Sequence, residues 1–206
     1  MTKTLNARTL SLVAGGSYWV IFLAAIFANF FVLEALIADP LSTVQQHHGL
    51  VRAGILAFLI TVVFDVIVAW SLNELFKEHP LSALSTLFRM MHAAIMGVAI
   101  FALPGILTLA SGEEILQQVS IFNTIWLLGL FFFGIHIVLL GIIVSRIRFI
   151  DLLLMAAGAM YMLDTVAHFL LPDYTEYASI FLAFVAIPSI LGEMSFAIWL
   201  LMKGGK

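Results

Sequence analysis

The sequence predicts an all-α, polytopic membrane protein, an antiparallel bundle of six transmembrane helices with both termini in the cytoplasm. Three observations lead to this prediction. Of the 206 residues, 63% are hydrophobic and 10% are charged, whereas soluble domains carry about 25% charged residues. Six apolar runs are long enough to cross a bilayer, and the charges between them change in sign from one loop to the next. With a mean hydropathy of +1.14, most of the surface must face lipid.

Each span needs about 20 mostly apolar residues, because a helix rises about 1.5 Å per residue through the hydrocarbon core. The spans form one domain, residues 1–206, and the short connections predict that consecutive helices are antiparallel neighbours. The first run is too long for the apolar part of a cleavable signal peptide, so we expect it to be retained. The predicted spans are residues 10–37, 50–76, 82–110, 121–145, 152–171 and 178–202.

The orientation follows from the basic residues, because cytoplasmic loops collect Lys and Arg. Seven of the nine basic residues fall on one side of the predicted bundle: Lys3, Arg8, Lys77, Arg146, Arg148, Lys203 and Lys206. The opposite side carries mainly acidic residues: Asp39, Glu113, Glu114, Asp173 and Glu176. We therefore expect a multi-pass protein of the bacterial inner membrane with cytoplasmic termini.

Composition excludes several classes of function. The net charge of −3 is spread over the loops, so no basic face for nucleic acid is expected. The chain has no cysteine, which excludes disulfides, thiolate metal ligands and thiol nucleophiles. Membrane lipids are the expected surroundings.

Small residues and prolines within the runs predict close helix packing and kinks. Pro104 and Pro188 lie inside the third and sixth spans, where each removes a helix hydrogen bond and should kink its helix. Glycines allow two helices to approach closely. The glycines expected to do so are Gly15, Gly16, Gly97, Gly129, Gly134, Gly141 and Gly158.

Ionisable residues inside the runs are the candidate site, because charge in the bilayer core is expensive and needs partners. Counting about 1.5 Å per residue from the cytoplasmic edge places five of them in one layer about 10–15 Å deep. They come from four helices: Asp65, Arg89, His92, His136 and Glu193. The simplest interpretation is a buried ion pair between Arg89 and Asp65 or Glu193, with His136 satisfying the remaining oxygens.

A second, outer polar group lies nearer the opposite face. Asp164 and His168 are four residues apart, so the carboxylate is expected to accept from the imidazole. Glu34 ends the first span and Arg52 begins the second at a matching depth, which predicts an interfacial ion pair.

These residues lie in short motifs through which the chain resembles a bacterial membrane family, domain of unknown function 4386. The resemblance covers nearly the whole chain and implies a six-helix integral membrane fold, but no activity. The motifs are Arg52-x-Gly54, Phe64-Asp65-Val66, Phe88-Arg89-Met90, Phe133-Gly134-Ile135-His136-Ile137-Val138-Leu139-Leu140-Gly141, Tyr161-x-x-Asp164, Leu170-Leu171-Pro172-Asp173-Tyr174 and Gly192-Glu193-x-x-x-Ala197-x-Trp199-Leu200.

Three functions remain open from the sequence. The first is a transporter- or sensor-like protein that binds a small lipophilic or anionic ligand, a lipid or an ion, with the inner layer as the floor of a cavity. The second is an intramembrane hydrolase whose zinc is held by residues from the set His136, His92, Glu193 and Asp65. Arg89 in the same layer would repel that cation. The third is a b-type cytochrome with haem between His92 and His136.

Overall fold

The computed structural model describes residues 6–145 and 148–205. These residues contain helices and no strands, and six of the helical segments are long and apolar enough to cross a membrane. The predicted fold class is therefore confirmed. Of the residues behind the orientation, Lys3, Arg146 and Lys206 lie outside the described residues, as does the side chain of Arg148.

The first span is built from three consecutive segments: α1 (Ala7–Ile26), a π-helical segment (Phe27–Leu33) and α2 (Glu34–Ala38). Asn6 caps α1, its side-chain oxygen accepting from the backbone N–H of Thr9 at 2.7 Å. A short helix, α3 (Pro40–Gln46), follows in a region predicted to be a loop. Asp39 caps it by accepting from Ser42 N, and Pro40 occupies its first turn, where the missing N–H costs nothing.

The other spans are α4 (His48–Leu75), α5 (Ser82–Ile100), α6 (Gly112–Ile143), α7 (Arg148–Leu170) and α8 (Tyr174–Met202). Helix α6 begins nine residues before its predicted span, since Glu113 and Glu114 form its first turn, where carboxylates favour the helix dipole.

The two prolines behave differently. α5 ends at Ile100, and Pro104 begins a 3₁₀ turn, Pro104–Thr108. Helix α8 continues across Pro188, which lies five residues before Glu193.

The long helices form a closed ring. Each packs on its neighbours in the chain, and α1 packs on α8. Arg8 fixes this closure by donating to the carbonyl oxygens of Leu200 and Gly204 at 3.1 Å each, and to that of Leu201. These contacts place both ends of the described chain at one end of the bundle, called here the terminal end.

Two apolar cores lie along the bundle. One core contains Phe58 and Phe122, and the other, at the terminal end, contains Phe196 and Leu200. On α4 the residues pass from Phe58 in the first core through Asp65 to Val68 in the second. The buried polar residues therefore separate two hydrophobic layers.

Five of the seven glycines named above lie where another helix passes closely. A Cβ at Gly134 would come within 2.6 Å of the Gly158 carbonyl oxygen, and Gly158 faces Gly134 in the same way across the α6–α7 contact. The prediction is wrong for Gly16 and Gly97, where a Cβ would meet nothing within 4 Å. Position along the chain does not reveal which side of a helix faces lipid.

A candidate ligand-binding cavity

Arg89 on α5 is the centre of the buried polar network and is only 1% exposed. Its Nη2 donates to Asp65 Oδ1 on α4 at 2.6 Å, which confirms the predicted buried ion pair. Its Nη1 donates to the hydroxyl of Tyr18 on α1 at 2.8 Å and to His136 Nε2 on α6 at 3.2 Å. One guanidinium thus links four helices.

The same guanidinium lies over two aromatic rings. The centroids of the Tyr18 and Phe133 rings lie 4.9 Å and 5.3 Å from Arg89 Cζ. Ring faces attract a cation at such distances, most strongly where water is excluded. The positive charge is therefore satisfied by one carboxylate, two polar side chains and two aromatic faces.

The hydrogen bonds of His136 define its protonation state. A guanidinium has no acceptor, so His136 Nε2 must accept from Arg89 and carry no proton. The proton then lies on Nδ1, which donates to Ser85, whose carbonyl oxygen is 3.0 Å away and whose Oγ is 2.8 Å away. His136 is a neutral imidazole that holds Arg89 in place against α6.

His92 lies one turn from Arg89 on the same helix. Its Nδ1 is 2.9 Å from the carbonyl oxygen of Gly129, which can only accept, so Nδ1 carries a proton. Its Nε2 is 3.6 Å from Asp65 Oδ2, beyond ordinary hydrogen-bond distance. His92 therefore links α5 to α6 and lies beside the ion pair between Arg89 and Asp65.

Glu193 on α8 lies apart from this network but on the same cavity. The cavity has a volume of about 180 Å³, and all six long helices contribute to its wall. Asp65, Arg89, His92 and Glu193 line it, together with mainly apolar and aromatic side chains. Tyr161 on α7 donates its hydroxyl proton to Glu193 Oε1 at 3.2 Å. The five inner residues predicted from depth thus divide into a connected group of four and a separate Glu193–Tyr161 pair.

The outer polar group differs from the prediction. Asp164 accepts from the hydroxyl of Tyr174 at 2.6 Å, and His168 instead packs its ring against the ring of Tyr174, with centroids 4.7 Å apart. Within the described part of the chain, Glu34 and Arg52 are both exposed and form no ion pair. Matching depth along the chain therefore did not ensure contact.

Four participants were not predicted: Tyr18, Ser85, Tyr161 and the Gly129 carbonyl group. Tyr18 lies 11 residues from the start of α1 at Ala7, which is about 16 Å along the helix axis and just beyond the predicted layer. Ser85 lies four residues before Arg89 and hence on the same face of α5. Helical spacing from Arg89 would have found Ser85, whereas counting depth alone finds neither residue.

The residues offer a metal or haem few free ligands. Across residues 6–145 and 148–205, no three or more His, Asp and Glu side chains converge on a metal site. The lone pair of His136 Nε2 is used by Arg89, whose positive charge would oppose a zinc ion beside it. A haem iron between His92 and His136 would need a free nitrogen from each. His136 would first have to leave Arg89.

Comparison with known proteins identifies the family of the chain. The family described as "Domain of unknown function (DUF4386)" matches residues 13–204. An uncharacterised protein of Archaeoglobus fulgidus is 28% identical over 159 residues, which is 74% of this chain and 85% of the relative. No solved structure matches. The family match includes every residue of the polar network and the cavity, and the chain belongs to the family known as domain of unknown function 4386.

Proposed function

We propose that this protein binds a small lipophilic ligand in the central cavity, as a membrane transporter or sensor would. The observation that carries the proposal is a cavity of about 180 Å³ that is lined by residues of all six long helices, including ionisable side chains. An apolar cavity of about 150 Å³ engineered in another protein is large enough to bind benzene. The volume here therefore suits a molecule of one ring with a short polar group.

The wall of the cavity supports an amphiphilic ligand. Phe22, Trp126, Phe133 and Ile190 give it apolar and aromatic surface, while Glu193 gives it a carboxylate that forms no ion pair within residues 6–145 and 148–205. Binding sites for small molecules commonly combine a largely apolar wall with a few placed polar groups. Intramembrane ionisable residues commonly mark such sites.

Access from the lipid side is supported by the burial pattern of α1 and α8. None of the residues 19–26 of α1 or 174–188 of α8 is buried, whereas both helices have buried residues nearer the terminal end. Phe22 and Ile190 border the cavity in this loosely packed region, and Ile190 is exposed. A molecule dissolved in the bilayer would enter between α1 and α8.

We also propose, from the distribution of the basic residues, that the protein lies in the plasma membrane with both termini cytoplasmic.

Native mass spectrometry of gently purified protein tests the proposal. We expect a bound small molecule in the wild type that is lost in Ala25→Phe, which fills the cavity wall. Ala94→Phe is the matched control, because Ala94 is exposed on the lipid-facing side of α5. Retention of the molecule by Ala25→Phe, or its absence from the wild type, would contradict ligand binding in this cavity.

The same sample distinguishes the other two functions. Stoichiometric zinc that disappears in His136→Ala would replace the proposal with the metal-dependent hydrolase. A haem absorption band in the purified protein would replace it with the cytochrome. Colourless, metal-free protein that carries the small molecule is the expected result.

A further inference from the structure

We infer that the cavity is selective for lipophilic cations, such as molecules with a tertiary or quaternary ammonium group, and that Glu193 is the group that recognises the charge. This inference rests on the proposed function and names its ligand class. Three properties of the cavity support it. The carboxylate of Glu193 has no basic partner in the described residues, the charge of Arg89 is already paired, and the wall is largely aromatic.

Glu193 is the carboxylate of the cavity without a basic partner in the described residues. Asp65 is paired with Arg89 at 2.6 Å and has His92 beside it, whereas Glu193 has the neutral hydroxyl of Tyr161 at 3.2 Å. A carboxylate removed from water without a cation is unfavourable. A ligand that brings a positive charge to Glu193 would remove this cost, so the cavity gains from binding a cation.

The positive charge of Arg89 is not available to an anionic ligand. Its Nη1 donates to two partners and its Nη2 donates to Asp65. Nε has no partner in the described structure but is buried so deeply that a water-sized molecule cannot touch it. The guanidinium also lies over the rings of Tyr18 and Phe133. An anion would have to break these contacts, so the anionic ligand considered from the sequence is disfavoured.

The aromatic wall suits the same ligand. Phe22, Trp126 and Tyr161 line the cavity in addition to the two rings that contact Arg89. The faces of aromatic rings, of Trp above all, attract ammonium groups, and aromatic cages with a carboxylate are a common means of holding quaternary ammonium. Tyr161 contributes both a ring and the hydroxyl that orients Glu193.

Three single-ring probes that differ in charge test the inference. They are benzyltrimethylammonium, its uncharged carbon isostere neopentylbenzene, and the anion benzenesulfonate. We would titrate each into purified protein in detergent at pH 8 and measure the shift of the thermal unfolding midpoint. We expect benzyltrimethylammonium to stabilise the wild type, with neopentylbenzene and benzenesulfonate having a much smaller effect.

A matched pair of variants then assigns the charge recognition to Glu193. Glu193→Gln should weaken binding of benzyltrimethylammonium at least about tenfold, since it removes one partner of a desolvated charge pair. Glu176→Gln on the same helix should bind as the wild type does, because Glu176 is exposed. If Glu193→Gln does not fold, the comparison of cation and carbon isostere on the wild type still decides the question.

The outcomes separate this inference from the proposed function. Equal binding of all three probes, preference for benzenesulfonate, or unchanged binding by Glu193→Gln overturns cation selectivity and leaves ligand binding in the cavity standing. Failure of every probe to bind the wild type, together with the absence of a bound molecule by native mass spectrometry, overturns both.

Discussion

At the scale of single residues, Arg89 should be the side chain whose loss costs most. Arg89→Ala leaves Asp65 as an uncompensated buried charge and removes the donors to Tyr18 and His136. Breaking one partner from a buried ion pair costs about 3–5 kcal/mol. We expect a correspondingly large fall in the denaturation midpoint in an SDS titration, with Arg52→Ala as the exposed control.

The double variant Asp65→Asn with Arg89→Gln tests whether the cost arises from the pair. It removes both charges while keeping hydrogen-bonding groups of similar shape, so it should be more stable than Arg89→Ala. Equal or lower stability of the double variant would show that the ion pair between α4 and α5 does not account for the loss.

Arg8 has a different role, which is to close the ring of helices at the terminal end. Its guanidinium donates to the carbonyl groups of Leu200 and Leu201 in the last turn of α8, where carbonyls lack N–H partners within the helix, and to that of Gly204 just after it. We expect Arg8→Gln to lower the free energy of unfolding by about 1–2 kcal/mol, since it removes charge-assisted hydrogen bonds at a helix C-terminus. A denaturation midpoint equal to that of the wild type would mean that the hydrogen bonds of Arg8 add nothing to stability.

At residue scale, depth counting predicts the height of a polar side chain but not its direction. Asp65 and Arg89 meet because both also face the bundle axis, and Glu193 at similar depth pairs with Tyr161 instead. Glu34 and Arg52 were also predicted at matching depth, yet they form no ion pair in the described residues. The rotation of each helix about its axis is set by packing against its neighbours, which the hydropathy pattern of a nearly all-apolar helix does not encode.

At the scale of elements, the contact between α6 and α7 depends on Gly134 and Gly158. Gly158→Ala should destabilise the protein by about 1–3 kcal/mol, because the new methyl group would overlap the Gly134 carbonyl oxygen. The control is Gly97→Ala, where the methyl group meets nothing within 4 Å. That substitution should be neutral or stabilising by up to about 1 kcal/mol, the usual gain of Ala over Gly in a helix.

Thermal unfolding of these two variants side by side provides the measurement. A Gly97→Ala variant that is less stable than Gly158→Ala would contradict the assignment of α6–α7 as a close-packed pair and of Gly97 as lipid-facing.

The number and approximate position of the helices were predictable because the bilayer imposes a length of about 20 apolar residues on each span. The ends of the helices were not predictable where polar residues continue a helix. The composition around Glu113 and Glu114 predicts a loop, yet these residues lie in the first turn of α6. The break after Ile100 was anticipated only as a kink at Pro104, since the same residue type ends α5 but is tolerated within α8.

At the scale of the whole molecule, the orientation in the bilayer is a prediction from the basic residues. Both termini should be cytoplasmic, so fusion of a green fluorescent protein after Lys206 should fluoresce and fusion of alkaline phosphatase there should be inactive. The loop between α5 and α6 should lie on the opposite side, and fusions truncated after Ser111 should give the reverse pattern. An active phosphatase at the C-terminus would invert the topology.

The proposed function requires that a small molecule occupies the cavity. This cavity lies where ionisable groups separate the two apolar cores. A cryo-electron microscopy map of the protein purified with its native lipids tests this most directly. We expect non-protein density between Glu193 and Trp126, with Arg89 still bonded to Asp65. A map in which side chains fill this space, or in which Glu193 and Arg89 face lipid on different sides of the bundle, would contradict it.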